Sequence, residues 1–112
     1  MIEETLQATL SALVGGRVYP MVAPDSPTKP YIIYQNIANS PNNTLADGVP
    51  INNTRMQIDC YDITYANVKN LSASISAAMA AASFSNILTM NQDLYEQDPM
   101  LYRVQQDYSI WY

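Results

Sequence analysis

TRMQIDCYDITYANVKNLSASISAAMAAA, from Thr54 to Ala82, holds two periodicities in one run. Arg55, Gln57, Asp59 and Tyr61 alternate with Met56, Ile58 and Cys60, the two-residue period of a strand with one wet face and one dry face. Beyond Asp62 the period changes. Val68, Leu71, Ile75, Met79 and Ala82 fall three or four apart, along one side of a helix whose other positions are mostly Ser, Ala, Asn and Lys. Thr64 is placed to cap the first turn, where its hydroxyl can accept from an otherwise unpaired N–H. A strand that feeds an amphipathic helix must lay that helix on a sheet, so the rest of the chain has to supply more strands and a second helix.

Upstream, Ile2, Leu6, Leu10, Leu13 and Val14 recur at helical spacing, with Glu3 and Glu4 in the first turn, where the helix dipole favours negative charge. Gly15-Gly16 ends this helix, since glycine accepts the left-handed conformation of a C-terminal cap. Arg17 to Ala23 contains Pro20 and precedes Pro24, Pro27 and Pro30, so it forms at most an edge strand running into an irregular link. Tyr31 to Ala38, rich in β-branched and aromatic residues, reads as a strand. Asn39 to Asn53 then loosens into Asn, Pro and Gly. It is either one long loop or a loop with a short hairpin tip, Leu45 to Ile51, around Asp47-Gly48. Downstream, Ile87 to Tyr95 alternates, with Leu88, Met90 and Gln92 on one face, and Tyr102 to Tyr112 alternates likewise. The turn at Glu96 to Pro99 should join them as an antiparallel hairpin. The expectation is one α+β domain over residues 1–112, a mainly antiparallel sheet of four to five strands with two helices packed on one face.

Charged residues make up only 13% of the 112 and apolar ones 48%, which leaves a surface of Asn, Gln, Ser, Thr and Tyr suited to burial against neighbours. The nine tyrosines fit contact surfaces, and they fit strand interiors equally well. A net charge of −5 argues against direct binding of nucleic acid, though an acidic wall past which DNA slides is compatible with it. Histidine is absent, which removes the commonest general base and metal ligand. Cys60 reads as a small buried hydrophobe. Asp93, Glu96 and Asp98 lack the ligand ladder of a calcium loop. Asp59 and Asp62 read as a solvated strand face or a cap at the start of the helix rather than as paired acid and base. No phosphate-binding glycine motif occurs. No basic segment leads into an apolar run at the start, and no stretch has membrane-spanning length, so a protein made in the cytoplasm is expected. No catalytic residue, cofactor or metal is expected, and the composition points to a structural or interaction protein.

The order of motifs carries a further reading. Val14-Gly15-Gly16-Arg17-Val18-Tyr19-Pro20, then Ala23-Pro24, Tyr31-Ile32-Ile33-Tyr34-Gln35, Gln57-Ile58-Asp59-Cys60-Tyr61, Leu101-Tyr102-Arg103-Val104 and Gln106-Asp107-Tyr108-Ser109-Ile110-Trp111 together resemble the tail completion, or tail terminator, proteins of long-tailed bacteriophages. The resemblance runs nearly end to end. It implies a virion protein of the neck region: a ring, usually of six copies, that caps the head-proximal end of the tail tube, stops its growth and meets the head connector while DNA passes through without specific binding. Its partners would be copies of itself, the tail tube protein and the connector. On that reading the Asn39–Asn53 segment is expected to reach a neighbouring subunit or the tube, with Asn42, Asn43, Leu45, Asp47, Val49 and Ile51 as contact residues. The alternatives are another head–tail joining protein bound to the connector and, from a different class, a small acidic module holding a metal or ligand at the Asp93–Asp98 corner.

Overall fold

In a computed structural model, which describes residues 2–24, 27–46, 49–96 and 100–111, the chain forms two helices and five strands in the order α1 (Ile2–Ser11), β1 (Val18–Pro20), β2 (Tyr31–Ala46), β3 (Val49–Asp62), α2 (Tyr65–Ala80), β4 (Ser85–Glu96) and β5 (Leu101–Trp111). The strands make one sheet in the order β1-β2-β3-β5-β4. Only β1 and β2 run parallel; the other neighbouring pairs are antiparallel. This is the expected α+β architecture.

The dry face of β3 explains the helices. Met56, Ile58 and Cys60 are fully buried, and with Ile32 and Tyr34 of β2 and Val104, Tyr108 and Ile110 of β5 they form one cluster with Ile2, Leu6 and Leu10 of α1 and Val68, Leu71, Ile75 and Met79 of α2. Both helices therefore lie on the same face of the sheet. Burying each such aliphatic side chain stabilises the fold by about 1.5–3 kcal/mol before the entropy of ordering is set against it. Thr64 caps α2 as its position foretells, its hydroxyl accepting from Asn67 N–H at 3.2 Å. α1 stops at Ser11, short of Val14. Gly16 N–H donates to Ser11 C=O at 2.8 Å, and Gly15 and Gly16 take φ of 59° and 85°, which side chains resist.

Gln106 enters this core on the strand face it shares with Val104, Tyr108 and Ile110. Gln106 is 1% exposed; its amide nitrogen donates to Ser72 C=O and to Ser76 Oγ, both at 3.2 Å, while its carbonyl accepts from Tyr108 OH at 3.0 Å. It ties α2 to β5 with its hydrogen bonds satisfied, the condition under which a buried amide is tolerated.

Three sequence expectations need correction. Asn39 to Asn53 is not a long loop. β2 continues to Ala46 and β3 begins at Val49, with Ser40 opposite Asn53, Asn42 opposite Ile51 and Ala46 opposite Val49, so the hairpin is far longer than a tip over Leu45 to Ile51. The edge strand expected within Arg17 to Ala23 forms over Val18–Pro20. The alternation read along β4 breaks at a bulge between Leu88 and Met90, so Leu88 pairs with Tyr108 and Met90 with Asp107, on opposite faces. The supposedly wet face of β3 is dry at one end, where Asp59 and Tyr61 are both buried. The turn expected at Glu96 to Pro99 falls largely on 97–99, outside the described residues, while the strands flanking it pair antiparallel as expected.

Candidate functional site: a projecting arm and a charged sheet face

β3 pairs with β5 only from Asn53 to Asp62, and β1 covers β2 only at Ile32 to Tyr34. Beyond Asn53, among the described residues, the two strands pair only with each other. The result is a two-stranded arm that helps make the molecule 49 Å long and 23 Å across, with a radius of gyration of 14.6 Å against the roughly 13 Å of a spherical domain of this size. Its base is fastened by side chains. Asn53 Nδ2 donates to Ser109 Oγ at 2.8 Å and to Ile110 C=O at 3.2 Å, and the buried Thr54 hydroxyl donates to Ala38 C=O at 3.3 Å. Of the expected contact residues, Asn42 and Leu45 sit on the outgoing strand with Asn43 in the irregular step between them, and Val49 and Ile51 sit on the returning strand. Asp47 lies outside the described residues. A two-stranded ribbon is marginal in water by itself.

The face of the sheet turned away from the helices is built differently. Arg103 lies opposite Tyr61 on β3 and Leu94 on β4, and its guanidinium reaches Glu96 at 3.1 Å, Gln105 at 3.0 Å and the Tyr61 ring at 5.9 Å. Its Nε also lies 3.3 Å from Asp59 Oδ1, close enough to pair as ions but not aligned as a hydrogen bond. Asp59, 5% exposed, takes its hydrogen bond from Gln57 Nε2 at 2.8 Å instead. Burial raises the Asp59 carboxyl above its ordinary value against the opposing pull of Gln57 and Arg103. At one end of this face Tyr31 stacks on Tyr61 at 4.8 Å, with Leu101, Tyr19, Ala23 and Ile33 around them. Burial pushes the Tyr61 phenol up to about 12.

Of the acidic corner, Asp93 and Glu96 face different partners. The pleat turns Asp93 toward α2, where it accepts from Tyr65 OH at 2.8 Å and from Lys69 Nζ at 3.0 Å, whereas Glu96 turns to the other face and Arg103; Asp98 lies outside the described residues. Asp62 serves the chain locally, accepting from Ile63 N–H at 2.7 Å before α2. Cys60 is buried among apolar side chains, and its thiol is pushed up to about 12, which leaves it unreactive at neutral pH. Among the described residues, no helix is long and apolar enough to cross a membrane.

With this geometry in view, comparison with known proteins is informative. Residues 5–112 match the family described as "Tail completion protein gp17". The chain belongs to this family. It is thus a structural protein of a phage tail, and its place is in the virion. No curated protein matches its sequence. Among solved structures it is similar to a chain of the "Virion of native gene transfer agent (GTA) particle", with a TM-score of 0.65, 18% identity, and coverage of 98% of this chain and 90% of that one. At that identity the likeness speaks for the fold.

Proposed function

We propose that the protein forms a ring at the head-proximal end of the tail tube, through which DNA passes without specific binding. The ring, of six copies in the simplest case, stops growth of the tube and offers its free side to the head connector. The observation that carries this reading is membership of the tail completion family over residues 5–112. The fold shared with a chain of the gene transfer agent virion supports it. So does the shape: a ring subunit needs contacts that run head to tail and close by rotation, and an arm at one end of an elongated domain can supply one of them. In this reading Asn42, Asn43, Leu45, Asp47, Val49 and Ile51 contact the neighbouring subunit or the tube. The net charge of −5 keeps the genome from adhering to the pore by like-charge repulsion. Particles assembled without the chain test the proposal. Tubes of irregular, extended length with unattached heads are expected, whereas tubes of uniform length joined to heads would end it.

A further inference from the structure

The sheet has two free edges, on opposite sides. β4 is one: no strand flanks it, and nearly all of its length is exposed. The other is β2 beyond Tyr34, because β1 covers only Ile32 to Tyr34. A long exposed edge strand invites pairing, and monomeric proteins deter it with lysine, proline, inward-pointing charge or a covering segment. β4 contains no lysine, arginine or proline. Its two carboxylates are engaged within the subunit, Asp93 by Lys69 and Tyr65 and Glu96 by Arg103. Ile87 and Met90 meanwhile stand 58% and 37% exposed on the strand. The outer edge of β2 from Gln35 to Ser40, short of Pro41, has no charged residue, and Ile37 is 43% exposed there. Neither edge repels the other.

We infer that β4 of one subunit pairs with the outer edge of β2 of the next, so that the sheets of successive copies join around the ring; the inference rests on the ring reading above. Strand directions agree with it. β4 runs antiparallel to β5, β5 to β3 and β3 to β2, so β4 and β2 point in opposite senses. A copy rotated about an axis along the strands therefore presents its β2 antiparallel to β4, the arrangement with the better hydrogen-bond geometry. The levels agree as well. Ile87 lies across from Ser109, Ser109 from Arg55 and Arg55 from Ala38, so Ile87 and Ala38 stand at the same height on opposite edges and on the same face. A closed ring without axial rise brings these two heights together. The tilt of strands in a closed sheet can shift the pairing by a residue pair in either direction.

The test is cysteine cross-linking in assembled tails. Ala38→Cys is combined in turn with Ser85→Cys, Ile87→Cys and Met90→Cys, and each single substitution is made alone; Cys60 is buried and stays silent. Mild oxidation should give a ladder of covalent multimers for at least one double variant and only monomer for every single variant. Tails that contain the variants but yield no ladder in any of the three would overturn the inference while leaving the ring reading intact. Dimers from a single β4 cysteine would overturn it too, in favour of β4 pairing with itself. Absence of the chain from tails would sink the ring reading and the inference with it. Melting of each purified variant near the wild-type temperature shows that the subunit is folded.

Discussion

Cutting the arm back should separate folding from assembly. Pro41 and Asn52 lie opposite one another, so Asn42 to Ile51 can be replaced by Asn-Gly, which closes a two-residue hairpin turn between facing strand positions. The excised residues pair only with one another. α1, α2, β4 and β5 keep their partners, and the fastening bonds of Asn53 and Thr54 stay in place. An isolated two-stranded ribbon contributes little net stability, and a shorter connection costs slightly less entropy to close. The expected change in unfolding free energy is therefore within about 1 kcal/mol, or at most about 8 °C in melting temperature for a domain of this size. The long axis of 49 Å should shorten by about 10 Å, at roughly 3.3 Å per strand residue. Thermal melting by circular dichroism and small-angle scattering measure these quantities, and complementation of tails made without the wild-type chain measures assembly. The expected result is a folded, shorter subunit that fails to restore tails of uniform length joined to heads. A melting temperature lowered by 15 °C or more would refute the view that the arm is independent of the core, and normal tail joining would refute its role as a contact.

Other substitutions test the core and its charges. Gln106→Ala removes the hydrogen bonds to Ser72, Ser76 and Tyr108 and leaves a cavity, so a loss of about 2–3 kcal/mol is expected by urea denaturation; Tyr108→Phe, which removes one of those bonds and keeps the ring, should cost about 1 kcal/mol. Thr64→Ala should cost about 1 kcal/mol by the same assay, because Asn67 N–H loses its acceptor. Folded Asp59 holds its proton more tightly than the unfolded chain, so its contribution to stability is fully present below about 3.8 and is lost as pH rises through the raised value. Relative to Asp59→Asn, the wild type should therefore lose stability as pH climbs from 3 to 7, and a gain over that range would show the Arg103 pair outweighing burial. Asp93 has the opposite sign. Hydrogen bonds from Tyr65 and Lys69 hold it below 3.8, so its contribution is present above that value and fades as pH falls through the lowered one, and Asp93→Asn should cost most at neutral pH in low salt.

The parts of the fold that were legible from sequence are those with a core beneath them. Met56, Ile58 and Cys60 alternate because α2 covers their face, and Val68, Leu71, Ile75 and Met79 repeat because α2 has one side to bury. The arm gave no such signal. From Ser40 to Asn53 the sequence carries no sustained two-residue apolar period, leaving Asp47-Gly48 as the sole hairpin cue. The bulge at Leu88/Met90 has no sequence cue, since no Gly or Pro marks it. Asp59 reads as solvated for a related reason: polar side chains mark exposure only on average, and here Gln57 and Arg103 engage a carboxylate on the strand face that the pattern assigns to water. Of the candidate contact residues, sequence could indicate the segment but not its form, since its length matched a loop as well as an arm.

Electron microscopy of tails carrying a tagged copy of the chain tests the central claim most directly. The account predicts tag density as a single ring at the end of the tube that faces the head, present once per tail. Tag density distributed along the tube, or confined to the tip remote from the head, would contradict it.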